Sequence, residues 1–478
     1  MRPEIVGQDG KRLNSWGRVL PLVLVCAPGI VACTGAPPPG GEGPRPGAEP
    51  STALDRPALA AAVRTELLHA WRGYERHAWG HDELRPLSRG VRDWYGEPFL
   101  MTPVDSLDTL LLAGLDAEAA KAKELIVQRL SFDRDASVQV FEVTIRLLGG
   151  LLSGYQMTGD ERLLALAKDL GTRLLPAFDS PTGMPYRYVN LRTGAKSDPH
   201  SNPAEIGTIL LEFGTLAKLT GEPVFWDKPK RALDELYERR SAIGLVGEEI
   251  DVETGAWRNK ASHVGGAIDS YYEYLLKCEI LFGDADCGRM WRESKAALDK
   301  HLADEAPSGF WYGQVDMDTG ARTASEFGAL HAFLPGVLAL GGDLDRARRL
   351  QDSAFAMWRL HGLEPEVIDY RTMKVLYPGY KLRPEIVESA YVLHRATGDA
   401  RYLEMGRTFL ADLVAHCRTE DGYTVVDDVT AMKQGDLMPS YFLAETLKYL
   451  YLLFAPDQTI DLSRTVFNTE AHPLRRTW

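Results

Sequence analysis

Apolar residues recur at helical spacing through most of this chain. One run contains Leu443, Leu447, Leu450 and Phe454, and another contains Ile386, Ala390 and Leu393. Intervals of three or four residues place each set on one face of a helix, so both helices are expected to face a core. Pro203 and Pro384 stand just before Glu205 and Glu385, where proline suits the first turn of a helix.

Short turns divide the helical runs at a regular interval. They lie near Gly114, Gly159, Gly221, Gly283, Gly342, Gly398 and Pro456, 45 to 62 residues apart. The interval is too long for tetratricopeptide or ankyrin repeats, but it accommodates a helix, a tight turn, a second helix and a long return loop. The sequence therefore predicts an all-α fold of seven helical hairpins arranged as a toroid.

A second periodic element occupies the return loops. The segments VNLRTGA, IDVETGA and VDMDTGA end at Ala195, Ala256 and Ala321. Each places a Thr-Gly turn between short extended stretches, which is typical of a β-hairpin. These hairpins are expected to wall the end of the toroid at which the first helices begin.

Acidic residues stand near the start of the first helix in most repeats. They are Asp105, Glu142, Glu205, Asp269, Glu385 and Glu445. The repeat that ends at Gly342 is the exception, with Glu326 and His331 as its nearest polar residues. A single carboxylate there is most simply a helix cap. A ring of carboxylates at one mouth can also supply the acid and base of an inverting glycosidase.

Length and charge narrow the alternatives. A chain of 478 residues could form two or three domains, but one repeat from about residue 57 to 456 favours a single body. The net charge of −13, without a Lys/Arg-rich run, argues against a nucleic-acid partner. Neutral or cationic ligands are favoured.

The first 33 residues are predicted to be a bacterial lipoprotein signal peptide. Basic residues precede an apolar run from Val19 to Ala32, which ends at Cys33 and is too short to span a bilayer. Lipidation of Cys33 would attach the protein to a membrane of the bacterial cell envelope; plain secretion and an uncleaved anchor are the alternatives. Residues 34–57, rich in Pro and Gly, are predicted to be a disordered linker before a catalytic domain spanning 58–478.

Two cysteines flank one of the predicted turns. Cys278 and Cys287 lie on either side of Gly283, and an exported protein allows them to form a disulfide. Independent buried thiols are the alternative, and the sequence does not choose between them.

Seven motifs, in order, resemble glycoside hydrolase family 47, the class I α-1,2-mannosidases. They are HDELRPLS, VDSLDTL, FEVTIRLLGG, IDSYYEYLLK, LRPEIVES, YFLAETLKYLYLLF and VFNTEAHPL, and they extend from His81 to Leu474. The resemblance implies an (α/α)7 barrel and a calcium-dependent, inverting exo-mannosidase. It also implies that the C-terminal segment threads into the barrel.

Motif positions then imply roles for individual residues. Glu142 corresponds to the general acid and Glu385 to the general base, while Asp269 corresponds to a third acid of the family's catalytic core. Contacts to the sugar or to calcium-bound water are implied for Arg146, Glu205, Arg383, Glu388, Tyr441, Glu445 and Glu470. Thr469 corresponds to the direct protein ligand of Ca²⁺. Asp105 is left as a structural cap.

Some positions indicate the branch of the family. GLVG before Ile268 and His331 within ALHAFLPG resemble the ER degradation-enhancing mannosidase-like branch. Processing enzymes carry His at the position of Ala329, usually Cys at Ala332, and in the ER enzyme Arg at Ala267. The usual disulfide of the family is therefore expected to be absent, and branch preference remains open.

The resulting hypothesis is a monomeric, lipid-anchored mannosidase that trims α-1,2-linked mannose from oligosaccharides or glycoprotein glycans. The alternative is a lectin-like protein that binds mannose glycans with weak or no hydrolysis. The presence of all the catalytic acids and of Thr469 favours the enzyme.

Overall fold

The computed structural model describes residues 54–478. The predicted signal peptide, Cys33 and the linker up to residue 53 lie outside this range. The first helix begins at Arg56, where the side chain of Asp55 accepts a hydrogen bond from the backbone N–H of Ala58. The helical body therefore starts two residues before the predicted boundary at 58.

The helices form two concentric rings. Six outer helices alternate along the chain with the inner ones: Asp116–Arg129, Glu161–Leu174, Val224–Glu238, Ala285–His301, Leu344–Trp358 and Arg401–His416. The seventh outer helix is Arg56–His77. The first to seventh inner helices begin at Met101, Val140, Pro203, Asp269, Leu334, Glu385 and Phe442. This arrangement confirms the (α/α)7 barrel.

Several inner helices are irregular. The first, fourth and sixth are continuous: Met101–Leu112, Asp269–Phe282 and Glu385–Thr397. The second consists of Val140–Val143, Thr144–Leu148 and Gly149–Thr158, and the third of Pro203–Gly207 and Leu210–Thr220. In the fifth, the 3-10 turn Ala329–Phe333 precedes Leu334–Leu340. The seventh consists of Phe442–Thr446 and Leu447–Phe454. The segments Thr144–Leu148 and Phe442–Thr446 are π-helical. Such turns rotate the residues that follow and are frequent at functional sites.

The first and last described helices close the barrel. The seventh inner helix packs against Arg56–His77, and the guanidinium of Arg56 donates to the carbonyl of Ala455 at 2.8 Å. After Pro456 the structure has the short 3-10 turn Asp457–Thr459 and then two strands, but no α-helix. The expectation of a helix after Pro456 was therefore wrong, and its place is taken by the N-terminal helix.

Small antiparallel sheets surround the end at which the inner helices begin. In four of them, the strand that leads into an inner helix pairs with the hairpin of the following return loop. These are Ser137–Gln139 with Tyr188–Asn190 and Lys196–Ser197; His200–Ser201 with Glu249–Asp251 and Trp257–Asn259; Ala261–Ser262 with Gln314–Asp316 and Arg322–Ala324; and Glu326–Gly328 with Val367–Asp369 and Lys374–Tyr377. Single bridges, Tyr380 to Val426 and Leu84 to Met438, join two more hairpins to the ring: Val426–Asp428 with Lys433–Gln434 and Glu83–Arg85 with Gly90–Arg92.

All three predicted Thr-Gly hairpins are confirmed, and two return-loop hairpins that turn at a methionine were missed. Gly194, Gly255 and Gly320 adopt left-handed φ values of 70 to 72°. In the missed hairpins, Met373 and Met432 take this conformation, at φ 56° and 49°. The search for Thr-Gly turns could not find these two hairpins, because a methionine takes the left-handed conformation that glycine usually adopts.

Three further hairpins complete the strands. Ala303–Ala306 pairs with Gly309–Tyr312, Arg418–Thr419 with Gly422–Tyr423, and Thr465–Phe467 with Pro473–Arg475. The last of these is the C-terminal hairpin. Its turn, residues 468–472, lies inside the inner ring, where Asn468 and His472 are fully buried. The threading implied by the sequence resemblance is thus observed.

Cys278 and Cys287 form a disulfide across the turn at Gly283, with 6.0 Å between their Cα atoms. The sequence left open a disulfide or two independent buried thiols, and the structure has the disulfide. Among residues 54–478, no helix combines the length and apolar character needed to cross a membrane.

Candidate active site

A cavity of about 270 Å³ opens where the inner helices begin. Its wall contains every residue that the sequence analysis assigned to catalysis, substrate or metal: Glu142, Arg146, Glu205, Asp269, Arg383, Glu385, Glu388, Tyr441, Glu445, Thr469 and Glu470. These residues are distant in sequence, and the inner helices together with the C-terminal turn bring them to one place.

The three candidate catalytic acids stand at the starts of three inner helices. Glu142 lies in the first turn of the second inner helix, and its side chain is 17% exposed. Asp269 begins the fourth, and its Oδ1 accepts hydrogen bonds from the N–H and hydroxyl of Ser270 at 2.7 and 3.1 Å. Glu385 begins the sixth, and its buried Oε2 has no hydrogen-bond partner among residues 54–478.

Arg146 links Glu142, on the second inner helix, to the C-terminal turn. It lies in the π-helical segment, donates to Oε2 of Glu142 at 2.9 Å, and forms an ion pair with Glu470. Its guanidinium also faces the rings of Trp94 and Tyr441, at 5.2 and 5.6 Å. Burial would lower the pKa of Arg146, but the surrounding carboxylates raise it, so this cation stays charged.

Arg383 and Tyr441 form an adjacent part of the wall. Arg383 donates two hydrogen bonds to Glu366, at 3.2 and 3.0 Å, and lies 5.9 Å from the Tyr441 ring. The hydroxyl of Tyr441 donates to the carbonyl of Lys381 at 2.7 Å. The ring is thus fixed between two guanidinium groups.

Glu205 is held by three side-chain donors. It accepts hydrogen bonds from Arg187 at 2.8 Å, Gln139 at 2.9 Å and Ser201 at 3.0 Å. Burial raises its pKa, and Arg187 opposes that rise. This set of donors fixes the orientation of the carboxyl at the cavity edge.

Glu388 shares a buried lysine with a carboxylate that the sequence analysis missed. Lys277 forms an ion pair with Glu273 and lies 3.6 Å from Oε1 of Glu388, which also accepts from Tyr449 at 3.0 Å. Burial raises the pKa of Glu388 to about 7, although Lys277 lowers it. Glu273 also lines the cavity. Its position one helical turn after Asp269 was the available signal.

The cavity wall carries more acids than cations. Eight carboxyl groups line it, against the guanidinium groups of Arg146 and Arg383. The pKa of Glu385 and the pKa of Glu470 are each raised to about 8, and burial is the largest cause in both cases. The pKa of Glu445 is also raised, first by burial and then by Glu470. A cation bound here would relieve this repulsion.

Thr469 lies in the C-terminal turn at the inner end of the cavity. Its backbone N–H faces the hydroxyl of Tyr274 at 3.3 Å. Asn468 holds the turn in place, because its amide donates to the carbonyl of Ile145 at 2.9 Å and to Glu212 at 2.7 Å. The turn therefore closes the cavity and presents Thr469 to it.

Asp105 does not cap a helix, contrary to the sequence analysis. It is fully buried inside the first inner helix, accepts a hydrogen bond from Ser440, and lies 3.8 Å from Arg146 and 3.5 Å from His472. It belongs to a buried charge cluster beneath the cavity. Of the two polar residues in the exceptional repeat, Glu326 is exposed and His331 is half-buried, and Leu330 and Phe333 line the cavity instead.

Comparison with known proteins gives the family. The sequence profile of glycosyl hydrolase family 47 matches residues 66–476. The chain belongs to this family. ER degradation-enhancing alpha-mannosidase-like protein 2 of Homo sapiens is 38% identical over 493 residues, covering 95% of this chain and 82% of that protein. Mannosyl-oligosaccharide 1,2-alpha-mannosidase MNS1 of Arabidopsis thaliana is 37% identical over 438 residues, covering 86% and 78%.

A solved structure supports the same assignment. The alpha-1,2-mannosidase from Trichoderma reesei superimposes with a TM-score of 0.82 at 27% identity, covering 88% of this chain and 99% of that one. This family 47 protein is a glycoside hydrolase whose relatives come from both the ER degradation-enhancing and the processing branches.

The family 47 cavity fits a cation held largely through water. Within residues 54–478, the one group of three potential ligand atoms within 4.8 Å of one another is Cys278, Asp284 and Cys287, whose sulfurs are joined in the disulfide. Among the described residues, the cavity acids therefore do not form a group of three such ligand atoms. Thr469 faces an excess of negative charge, which suits an oxygen-seeking divalent ion with a water shell.

Proposed function

We propose that this protein is a calcium-dependent exo-α-1,2-mannosidase that removes terminal α-1,2-linked mannose from glycans with inversion. The observation that carries the proposal is the acid-lined cavity, closed at its inner end by the C-terminal turn, on a family 47 barrel. Its volume of about 270 Å³ lies below the range of about 300–1,000 Å³ for drug-sized ligands. A single terminal sugar unit fits such a space, and the C-terminal turn blocks passage through the barrel.

In this mechanism Glu142 protonates the leaving oxygen and Glu385 accepts a proton from the attacking water. Arg146 orients Glu142 through the 2.9 Å hydrogen bond. Asp269 assists from the neighbouring helix start. The sugar or its water shell contacts Glu205, Glu388, Glu445 and Glu470, while Arg383 and Tyr441 shape the wall. An inverting enzyme separates its two carboxyls so that water enters between the base and the sugar.

The calcium ion would be held by Thr469, with water and substrate hydroxyls in the remaining positions. When bound, it supplies positive charge that polarises the sugar hydroxyls and stabilises negative charge nearby. The surplus of buried carboxyls around Thr469 supports this assignment.

Purified protein incubated with α-1,2-mannobiose tests the activity. We expect mannose release that EDTA abolishes and added calcium restores. Tight binding without release, in calcium-replete protein, would instead support the lectin-like alternative. Turnover unaffected by EDTA would contradict the role of Thr469, and the product anomer observed by NMR would test inversion.

We also propose that the protein is a monomer tethered to a bacterial envelope membrane through lipid on Cys33. The support is the N-terminal sequence, in which an apolar run ends at Cys33 ahead of a Pro/Gly-rich segment. Expression of the full chain beside Cys33→Ala tests the anchor. The native chain should partition with membranes and the variant should not; equal partitioning would reject it.

A further inference from the structure

Two segments of similar sequence meet behind the cavity wall. Residues 363–366 read LEPE and residues 382–385 read LRPE. The ion pair between Arg383 and Glu366 ties them together through two hydrogen bonds. Glu364 and Glu385 each lie two residues from that ion pair, one on each segment, so their carboxyls are brought into the same region.

Both carboxyls contain buried atoms that nothing in the protein satisfies. Glu364 is 0% exposed, and neither of its oxygens has a hydrogen-bond partner among residues 54–478. Oε2 of Glu385 is also buried and also lacks a hydrogen-bond partner within the same residues. Buried polar atoms normally have partners, because an unsatisfied group keeps its desolvation cost without compensation. The cation within reach, Arg383, is already engaged by Glu366.

Neighbouring carboxyls in a dry environment do not ionise together. Burial raises the pKa of Glu364 well above its usual value, and the charge of Glu385 raises it further. The charged and titratable groups around this pair are Asp269, Glu366, Tyr380, Arg383, Tyr441 and Glu445. A neutral Glu364 has one O–H donor. The neighbouring Oε2 of Glu385 is an acceptor that lacks a donor.

We propose that Glu364 is a positioning residue that donates its carboxyl O–H to Oε2 of Glu385, directly or through one enclosed water. This bond holds the ionised form of Glu385 and leaves its other oxygen to face the cavity. The inference rests on the proposed function, since it takes Glu385 as the base. Glu364 does not itself line the cavity, so its role is exerted through Glu385.

The variants Glu364→Gln and Glu364→Met form a matched pair of similar size. Gln keeps an N–H donor, whereas Met has none. We expect Glu364→Met to lower kcat about tenfold and leave KM within about twofold, as for loss of one hydrogen bond to a charged group. The acidic limb of its pH profile should move about one unit higher, because ionised Glu385 loses its donor. Glu364→Gln should keep kcat within about threefold of the native enzyme.

Two kinetic outcomes would overturn the proposal. One is a folded Glu364→Met with native kcat and pH profile. The other is equal impairment of both variants, which would indicate a general packing role. Thermal unfolding of each variant establishes that the comparison is made on folded protein.

An infrared measurement separates this inference from the proposed function. The native-minus-Glu364→Gln difference spectrum at pH 7 should show loss of one neutral carboxyl band, and that band should shift in Glu385→Gln as its acceptor changes. No lost band would refute the protonated donor. Absence of mannose release by the native protein would refute the hydrolase while leaving the infrared result interpretable.

Discussion

At the scale of single residues, the three candidate acids occupy three different surroundings. Glu142 keeps contact with solvent and with Arg146, Asp269 is bonded to the start of its own helix, and Glu385 is enclosed. Different surroundings allow carboxyls of the same chemistry to perform different roles. Burial raises the pKa of Glu385 to about 8, so its action as a base depends on groups that favour its ionised form, such as a bound cation or the proposed hydrogen bond from Glu364.

Replacing the base should separate binding from turnover. We expect Glu385→Gln to lower kcat by about 10² to 10⁴, because the amide cannot accept the proton of water. Affinity for α-1,2-mannobiose, measured by calorimetry, should stay close to native. The control Glu326→Gln changes an exposed acid outside the cavity and should leave both quantities unchanged. Substantial turnover by Glu385→Gln would show that another residue is the base.

Calcium should move the acidic limb of the pH profile. The ionised form of Glu385 is the active base, so kcat/KM should rise as pH increases through its pKa. A bound cation favours that ionised form and lowers the pKa from about 8. Profiles at limiting and saturating calcium should therefore differ, with the limb at lower pH when calcium saturates. A limb independent of calcium would contradict this coupling.

At the scale of elements, local irregularities aim the side chains. The π-helical segments of the second and seventh inner helices contain Arg146 and Glu445. The strands that enter the inner helices are tied to hairpins, and two of these hairpins turn at a left-handed methionine. The left-handed conformation costs a residue other than glycine about 1–2 kcal/mol of conformational energy.

Glycine should improve the two strained turns. We expect Met373→Gly and Met432→Gly each to raise the free energy of unfolding by about 0.5–1 kcal/mol, since relief of the left-handed strain exceeds the added chain entropy. Urea unfolding measures the change. Lys433→Gly, in the adjacent strand, serves as the control and should destabilise the protein. Destabilisation by the methionine variants would mean that their side-chain contacts outweigh the backbone strain.

At the scale of the whole molecule, both ends of the described range, residues 54–478, complete the barrel. The N-terminal helix fills the outer ring, and the C-terminal hairpin enters the inner one. His472 anchors this hairpin, with its Nδ1 2.7 Å from Asp108, whose other oxygen lies 2.8 Å from Lys448. Burial would lower the pKa of His472, but Asp108 and Asp105 raise it to about 9. The Lys448 and His472 cations hold the pKa of Asp108 at about 2 against the effect of burial.

The stabilisation of the C-terminal hairpin by His472 should weaken at alkaline pH. Because the pKa of His472 is raised on folding, its contribution to stability is complete below about 6.5 and is lost as pH rises through about 9. His472→Gln should therefore cost about 2 kcal/mol at pH 6 and less at pH 10. Thermal unfolding at the two pH values, with His361→Gln as control, tests this. A cost independent of pH would show that the imidazole acts by packing alone.

The sequence by itself determined the repeated helical pairs and the residues that meet at their starts. Helix faces and turns depend on neighbours close in the chain, so the turns near Gly159 and Gly283 and the acids Glu205 and Glu385 could be found from spacing. Motif resemblance added the family, Arg146 and Thr469.

Only the tertiary structure decided how the ring closes, which acids are uncompensated and where single atoms lack partners. The helix Arg56–His77 takes the place of the helix expected after Pro456, Asp105 lies in a buried charge cluster with Arg146 and His472, and Glu364 is fully buried without a hydrogen-bond partner among residues 54–478. Each of these depends on contacts between segments far apart in the chain. Burial and charge at such contacts are set by the packed barrel as a whole, and spacing along the sequence does not carry that information.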